Sequence, residues 1–216
     1  MDHSVNPYMK HKSREITVNG TGEVNVAPNY AEIRIEVVTE SKDLNEAQRQ
    51  NANKMNQVIQ ALLSLGISRE DIQTSSFSIF PQYDYVEGHQ VFRGYEVTNA
   101  LTVKISNISQ VGMVIDTAVK NGANRVSSLE FKLENESMYY HQALQIALFN
   151  AVAKARTIAE TLRLPIHPQP IQIVEETVDT PPIMYRAVSM TQESFQTPIE
   201  QGLITINAKV LVKFQF

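Results

Sequence analysis

Along much of this chain apolar and polar residues alternate with a period of two, the pattern of strands that bury one face. Ile16, Val18, Val24 and Val26 alternate with polar residues or glycines, and Gly20 and Gly22 mark a bulge or a close backbone contact within that strand. After a turn at Pro28-Asn29, residues Ala31, Ile33, Ile35 and Val37 alternate against Glu32, Arg34 and Glu36, as in a half-buried strand. Phe77, Ile79, Tyr83 and Tyr85 repeat the pattern, and Pro81 makes this an edge strand or a broken one. A turn at Glu87-Gly88-His89 leads to a strand carrying Tyr95, Val97, Leu101, Val103 and Ile105, and Val126, Leu129, Phe131 and Leu133 predict another. Ile171 and Ile173 form a short strand, and Ile204, Ile206, Ala208, Val210, Val212, Phe214 and Phe216 give the most regular alternation of all.

Three stretches change period to that of a helix. Asp43 followed by Glu46 fits a capping box, Leu44, Ala47, Met55, Val58, Ile59, Leu62 and Leu65 form one stripe, and Gly66 supplies the stop. Ser109 caps a shorter helix with Val111, Val114, Ile115, Ala118 and Val119, ended by Gly122. The strongest helix spans 137–163, where Ala143, Ala147, Ala151, Ala155 and Ala159 recur at four-residue spacing until Pro165, Pro168 and Pro170 force an extended exit. Side chains this small let the helix backbone approach its neighbour closely, and the neighbour predicted is the sheet.

From Ala31 to Leu133 the order is β-α-β-β-α-β, the spacing of a ferredoxin-like unit. The predicted fold is α+β, a largely antiparallel sheet built on that unit, with the long Ala-rich helix and C-terminal strands added. Residues 1–14 are polar and aperiodic and read as a flexible tail, and 15–216 read as one domain without a linker.

Charge and composition narrow the function. The formal charge of −4 and the absence of any dense Lys/Arg cluster argue against nucleic-acid binding, the nearest approach being Lys10, Lys12 and Arg14. With no cysteine there can be no disulfide, thiolate catalysis or Cys-based metal site. The apolar runs are far short of a membrane span, and Met1-Asp2-His3-Ser4-Val5-Asn6-Pro7 has no apolar region of a secretory signal, which predicts a cytoplasmic protein.

No arrangement of residues predicts catalysis, a cofactor or a metal. His3, His11, His89, His141 and His167 include no i, i+4 pair and read as surface or loop residues. His3, third from the amino terminus, suits a square-planar copper or nickel site only in principle, and an idle tail is the simpler reading. Asn19-Gly20-Thr21-Gly22 lacks the Lys-Ser/Thr of a phosphate loop and no helix follows it. Glu130 and Glu134 fall on a solvent face and Glu136 in the next turn. The aperiodic segment 175–200 is long for a compact domain and carries Met184, Tyr185, Met190 and Phe195, residue types common in interface cores. The segment reads as a disordered insertion, a docking surface or an active-site lid. With the proline-free C-terminal strand, the docking reading predicts a surface for self-association, the alternative function being a small-molecule or metal site in a cleft near that loop.

Several segments, in this order, resemble the SIMPL (DUF541) family. They are Ile16-Thr17-Val18-Asn19-Gly20-Thr21-Gly22-Glu23, Gly94-Tyr95-Glu96-Val97-Thr98-Asn99, Asn121-Gly122-Ala123-Asn124-Arg125-Val126, the Ala-rich helix, and Thr197-Pro198-Ile199-Glu200-Gln201-Gly202 before the final strand. Pro28-Asn29 stands where the family commonly has Pro-Asp, and both pairs suit a turn. The resemblance covers about residues 14–216 and implies a non-enzymatic interaction or assembly protein, with homo-oligomers, a possible protein partner and a stress-related setting. It transfers no catalytic residue. Gly122 is expected to serve as a left-handed helix stop and Asn124 to bond local backbone in the following turn.

Overall fold

The computed structural model describes residues 14–165, 167, 169–176 and 197–216. In chain order the elements are β1 (Glu15–Val26), β2 (Tyr30–Ser41), α1 (Leu44–Ser64), β3 (Ile72–Val86), β4 (His89–Ile105), α2 (Val111–Lys120), β5 (Arg125–Lys132), α3 (Glu136–Leu162), β6 (Gln172–Glu176) and β7 (Ile204–Gln215). The fold is α+β with antiparallel sheets. Where the sequence predicts one domain over 15–216, the chain divides into two compact units, each with its own sheet. One holds β1, α3, β6 and β7; the other holds β2 through β5 with α1 and α2.

The second unit is the ferredoxin-like one. Its sheet runs β3-β4-β2-β5, the order that β-α-β-β-α-β connections produce when both helices lie on one face. Ile33, Ile35 and Val37 of β2 and Leu101, Val103 and Ile105 of β4 meet Met55, Val58 and Leu62 of α1 and Val111 and Val114 of α2 in a sealed apolar layer. Helix α1 starts where Asp43 accepts the Glu46 N–H at 2.9 Å, but the Glu46 carboxylate turns to Arg49 and Gln50, so only half of the predicted capping box forms. Helix α1 stops at Gly66, whose φ of 95° few other residues adopt without strain. The helix predicted from Ser109 begins as α2 at Val111, after a single 3-10 turn capped by Asn107. Asn124 differs from expectation. Its Oδ1 accepts from the Val38 N–H and its Nδ2 donates to the Val38 carbonyl, both at 2.8 Å, so the side-chain amide continues the β2–β5 ladder where the backbone leaves it.

In the first unit the sheet runs β1-β7-β6 and α3 covers one face. The β1–β7 register is unbroken from Glu15 opposite Gln215 to Val26 opposite Ile204, so Gly20 and Gly22 form no bulge. They serve close approach instead. A Cβ at Gly20 would lie 1.9 Å from the Ala147 carbonyl oxygen, and one at Gly22 equally close to that of Ala143. Ala143, Ala147, Ala151, Ala155 and Ala159 are all buried against this surface. Helix α3 ends at Arg163, which takes a left-handed φ of 53° two residues before Pro165, and the Leu164 N–H closes back on the Ala159 carbonyl at 2.9 Å. The C-terminal strand is not a sheet edge. It lies between β1 and β6, which corrects the expectation that its own backbone recruits a second chain.

The helix-free face of the β2–β5 sheet is polar, and among the described residues Glu36 is the one carboxylate buried in it. Arg34 Nε donates to it at 2.8 Å, Ser127 Oγ at 2.9 Å and Arg125 at 3.4 Å, while Arg34 also donates to Ser76 of β3. Ser127 is the extra residue of a β5 bulge, and the bulge aims its hydroxyl at Glu36. Burial pushes the Glu36 carboxyl up, but the hydrogen bonds from Arg34 and Ser127 and the charges of Arg34 and Arg125 outweigh it and hold the group below its ordinary value.

Two predictions follow from this packing. Gly20→Ala and Ala151→Leu should each destabilise the chain by about 1–3 kcal/mol through overpacking, read from urea midpoints; unchanged midpoints would show that α3 stands further from β1. Glu36→Gln should cost about 1–3 kcal/mol near neutral pH. Since the folded chain binds this proton more weakly than the unfolded chain, the Glu36 contribution is full above the unfolded pKa and is lost as pH falls through the folded one. The gap between the two proteins should therefore close in acid, and a gap independent of pH would remove the charge from the explanation.

Candidate interaction surface

Strands β3 and β4 outrun the rest of their sheet. The β2–β4 pairing ends at Ser41 opposite Tyr95, yet the β3–β4 pairing continues to Val86 opposite His89. Residues Gln82–Val86 and His89–Gly94 thus form a two-stranded arm. Glu87 and Gly88, with φ of 49° and 82°, close it as a two-residue turn whose twist matches the strands. At Gly94 the arm passes β2 closely, since a Cβ there would come 2.9 Å from the Ser41 carbonyl oxygen. Arg93, the extra residue of a bulge, binds Glu40 at 2.8 Å and Asp84 at 3.8 Å and ties the arm to β2.

Helix α1 packs on β2 and on the part of β4 paired with it, and the apolar residues exposed on β3 and on the arm lie outside that contact. Phe77 is 54% exposed, Phe80 58% and Tyr85 76%, and Tyr83, Val86, Val91 and Phe92 are exposed as well. Tyr83, Phe92 and Tyr95 stack edge to face, with centroids 5.8 and 5.2 Å apart, which stiffens the arm without covering it. Pro81 lies on the outermost strand, as predicted, where its missing N–H breaks no ladder bond. Exposed apolar residues gathered on one projecting element are the usual mark of a contact surface.

The interface residues predicted from sequence, Met184, Tyr185, Met190 and Phe195, lie outside the described residues, as do His3 and the greater part of the predicted cleft. Of the 175–200 segment, Glu175 and Glu176 complete β6. Thr197 docks on α2, donating through its N–H at 3.2 Å and its hydroxyl at 2.6 Å to Asp116. Gly112 admits it, since a Cβ there would lie 2.4 Å from the Thr197 carbonyl oxygen. His89 flanks the turn of the arm and His141 is exposed on α3. Glu130 pairs with Lys132 and Glu134 with Lys104. Among the described residues no group of three His, Cys, Asp or Glu side chains is placed to hold a metal, and no helix is long and apolar enough to cross a membrane. The arm escaped sequence reasoning because alternation reports a strand without saying how far its neighbours extend.

Comparison with known proteins places the chain. It is 27% identical over 219 residues to the 26 kDa periplasmic immunogenic protein of Brucella melitensis, covering 96% of this chain and 86% of that one. It is 26% identical over 204 residues to the uncharacterized protein YggE of Escherichia coli K12, covering 93% and 82%. YggE of Edwardsiella ictaluri is 24% identical over 204 residues, covering 92% and 85%. The Brucella name overturns the cytoplasmic prediction. The residues at the start of the chain were a poor guide to compartment, and a cysteine-free composition suits either side of a membrane. The profile of SIMPL, described as a protein of unknown function (DUF541), matches residues 16–214, and the chain belongs to that family.

Proposed function

We propose that this chain is a non-enzymatic, self-associating assembly module that works in the periplasm, in the stress-related setting its resemblance implies. The observation that carries the reading is the aromatic surface of the β3–β4 hairpin, on the arm and on the stretch of β3 leading into it. Five aromatic side chains, Phe77, Phe80, Tyr83, Tyr85 and Phe92, stand at 40% exposure or more on one hairpin. Fully buried aromatics cover about 150–250 Å² each, so bringing these five to burial removes on the order of 500 Å², a large part of the roughly 800 Å² per partner of a stable interface. A second copy is the occupant that supplies an equal arm. The same surface then serves on both subunits, as a two-fold interface requires. The periplasmic placement draws on the name of the Brucella relatives.

Sedimentation velocity of the full chain should give a mass above the 24.3 kDa of one subunit. Phe80→Ser combined with Tyr85→Ser should shift the population toward the monomer with little change in thermal stability, because both rings are exposed in the single chain. A wild-type monomer at micromolar concentration sinks the self-association reading, and an oligomer indifferent to both substitutions clears the arm.

A further inference from the structure

Strand β1 is the edge of its sheet, and its backbone groups divide by parity. The Arg14 carbonyl accepts from the Phe216 N–H at 3.0 Å, so even-numbered residues face β7 and Thr17, Asn19 and Thr21 turn their N–H and C=O groups away from it. Helix α3 reaches over this edge. Lys154 Nζ donates to the Asn19 carbonyl at 2.9 Å and to Asn19 Oδ1 at 3.1 Å, and Asn150 Nδ2 donates to the Thr21 carbonyl at 2.8 Å. The Asn19 and Thr21 carbonyls are thereby engaged, while the N–H groups of Thr17, Asn19 and Thr21 have no partner among the described residues.

A groove follows the same edge. One cavity of about 730 Å³ is lined by Thr17, Asn19, Lys154 and Ile158, a second of about 470 Å³ by Glu23 and Ile146, and the two share Thr21 and Asn150. Donors repeating every second residue, about 7 Å apart, match the carbonyls of another extended backbone. Among the described residues Lys154 is the only charged one lining the larger cavity, and its ammonium meets neutral oxygens and no carboxylate there. Ile146 and Ile158, both partly exposed, lie on either side of it along α3, about 18 Å apart at helical rise, the span of five or six extended residues.

We propose that the β1–α3 groove binds an extended acidic segment of another protein as a fourth strand beside β1. An acidic side chain of the segment meets Lys154, and apolar residues toward its two ends meet Ile146 and Ile158. Lys154 exchanges the Asn19 carbonyl for the carboxylate, which frees that carbonyl for an N–H of the segment. A second copy of this chain fits the groove less well. Pairing two β1 edges brings a second α3 into the same space, with its own Asn150 and Lys154. This site belongs to a different unit from the β3–β4 arm, so its failure leaves the assembly reading standing.

The test is fluorescence anisotropy of the full chain with a labelled Ser-Val-Thr-Glu-Thr-Val-Ser peptide, its Glu-to-Lys counterpart, and a form with proline replacing the threonine before the glutamate. The acidic peptide should bind about ten-fold tighter than the lysine peptide, and the proline form should lose affinity. Lys154→Glu should reverse the charge preference, with circular dichroism confirming the fold. Saturation with the acidic peptide should slow amide exchange at Thr17, Asn19 and Thr21 in heteronuclear NMR spectra. Absence of binding at millimolar peptide, a preference that survives Lys154→Glu, or amide protection that grows with protein concentration in the absence of peptide would each overturn the proposal, the last by giving the groove to a second copy.

Discussion

Helix α3 can come as close to β1 as it does only because no side chain stands at Gly20 and Gly22 and nothing larger than a methyl group stands on the buried stripe of the helix. At Gly20 and Gly22 the helix comes so near that its own carbonyl oxygens, those of Ala147 and Ala143, occupy the positions of absent Cβ atoms. Backbone excluded volume therefore sets the separation. Alanines four residues apart advance about 40° per step around a helix of 3.6 residues per turn, so the stripe winds and follows a twisted strand pair. The larger apolar residues of α3 have no depth into which to sink. Phe149, Ile146, Ile158 and Leu162 stay exposed, and Asn150 and Lys154 are carried out over the strand edge.

The other unit solves its packing with bulk. Branched side chains of β2 and β4 fill the layer beneath α1 and α2, and charge is confined to the opposite face. There a single buried carboxylate, Glu36, draws Arg34, Arg125 and Ser127 around it and links three strands through the Arg34–Ser76 contact. A buried carboxylate without these donors would cost several kcal/mol, so the cluster has to form as a set. The arm lies beyond the reach of both solutions. It has no helix to bury its rings and no third strand, and its order rests on the Tyr83–Phe92–Tyr95 stack and the Arg93 pairs.

Local rules carried most of the elements. Alternation found β2, β4 and β7, the four-residue spacing of alanine found α3 and its buried face, and Gly66 and Gly122 marked helix ends where φ is positive. Partners were harder to read than elements. An alternating strand looks the same at the centre of a sheet and at its edge, so β7 suggested exposure where β1 and β6 flank it. Asn124 offered an amide whose use depended on a strand far away in sequence, and Gly20 suggested either a bulge or a close approach until Ala147 was seen above it. The two surfaces that carry a functional reading, the arm and the β1 groove, both arise where one element ends or stands away from its neighbours. No periodicity encodes that.

The β3 and β1 edges are protected by different physics, and the difference bears on what each can accept. On β3, Pro81 deletes a donor and a bulge turns the strand, devices that hinder any incoming backbone along that stretch. On β1 the protection comes from side chains of α3, and it covers acceptors only. A lysine and an asparagine can each bind a carbonyl, but neither ammonium nor amide nitrogen can satisfy a backbone N–H. With Lys154 and Asn150 both donating as they do here, the β1 edge remains donor-rich. A covering group that carries acceptors at strand spacing gains hydrogen bonds there without first breaking any, and one that also carries an anion gives Lys154 a better partner than a neutral carbonyl. The β3 edge offers no such asymmetry, and what is exposed beside it is aromatic surface.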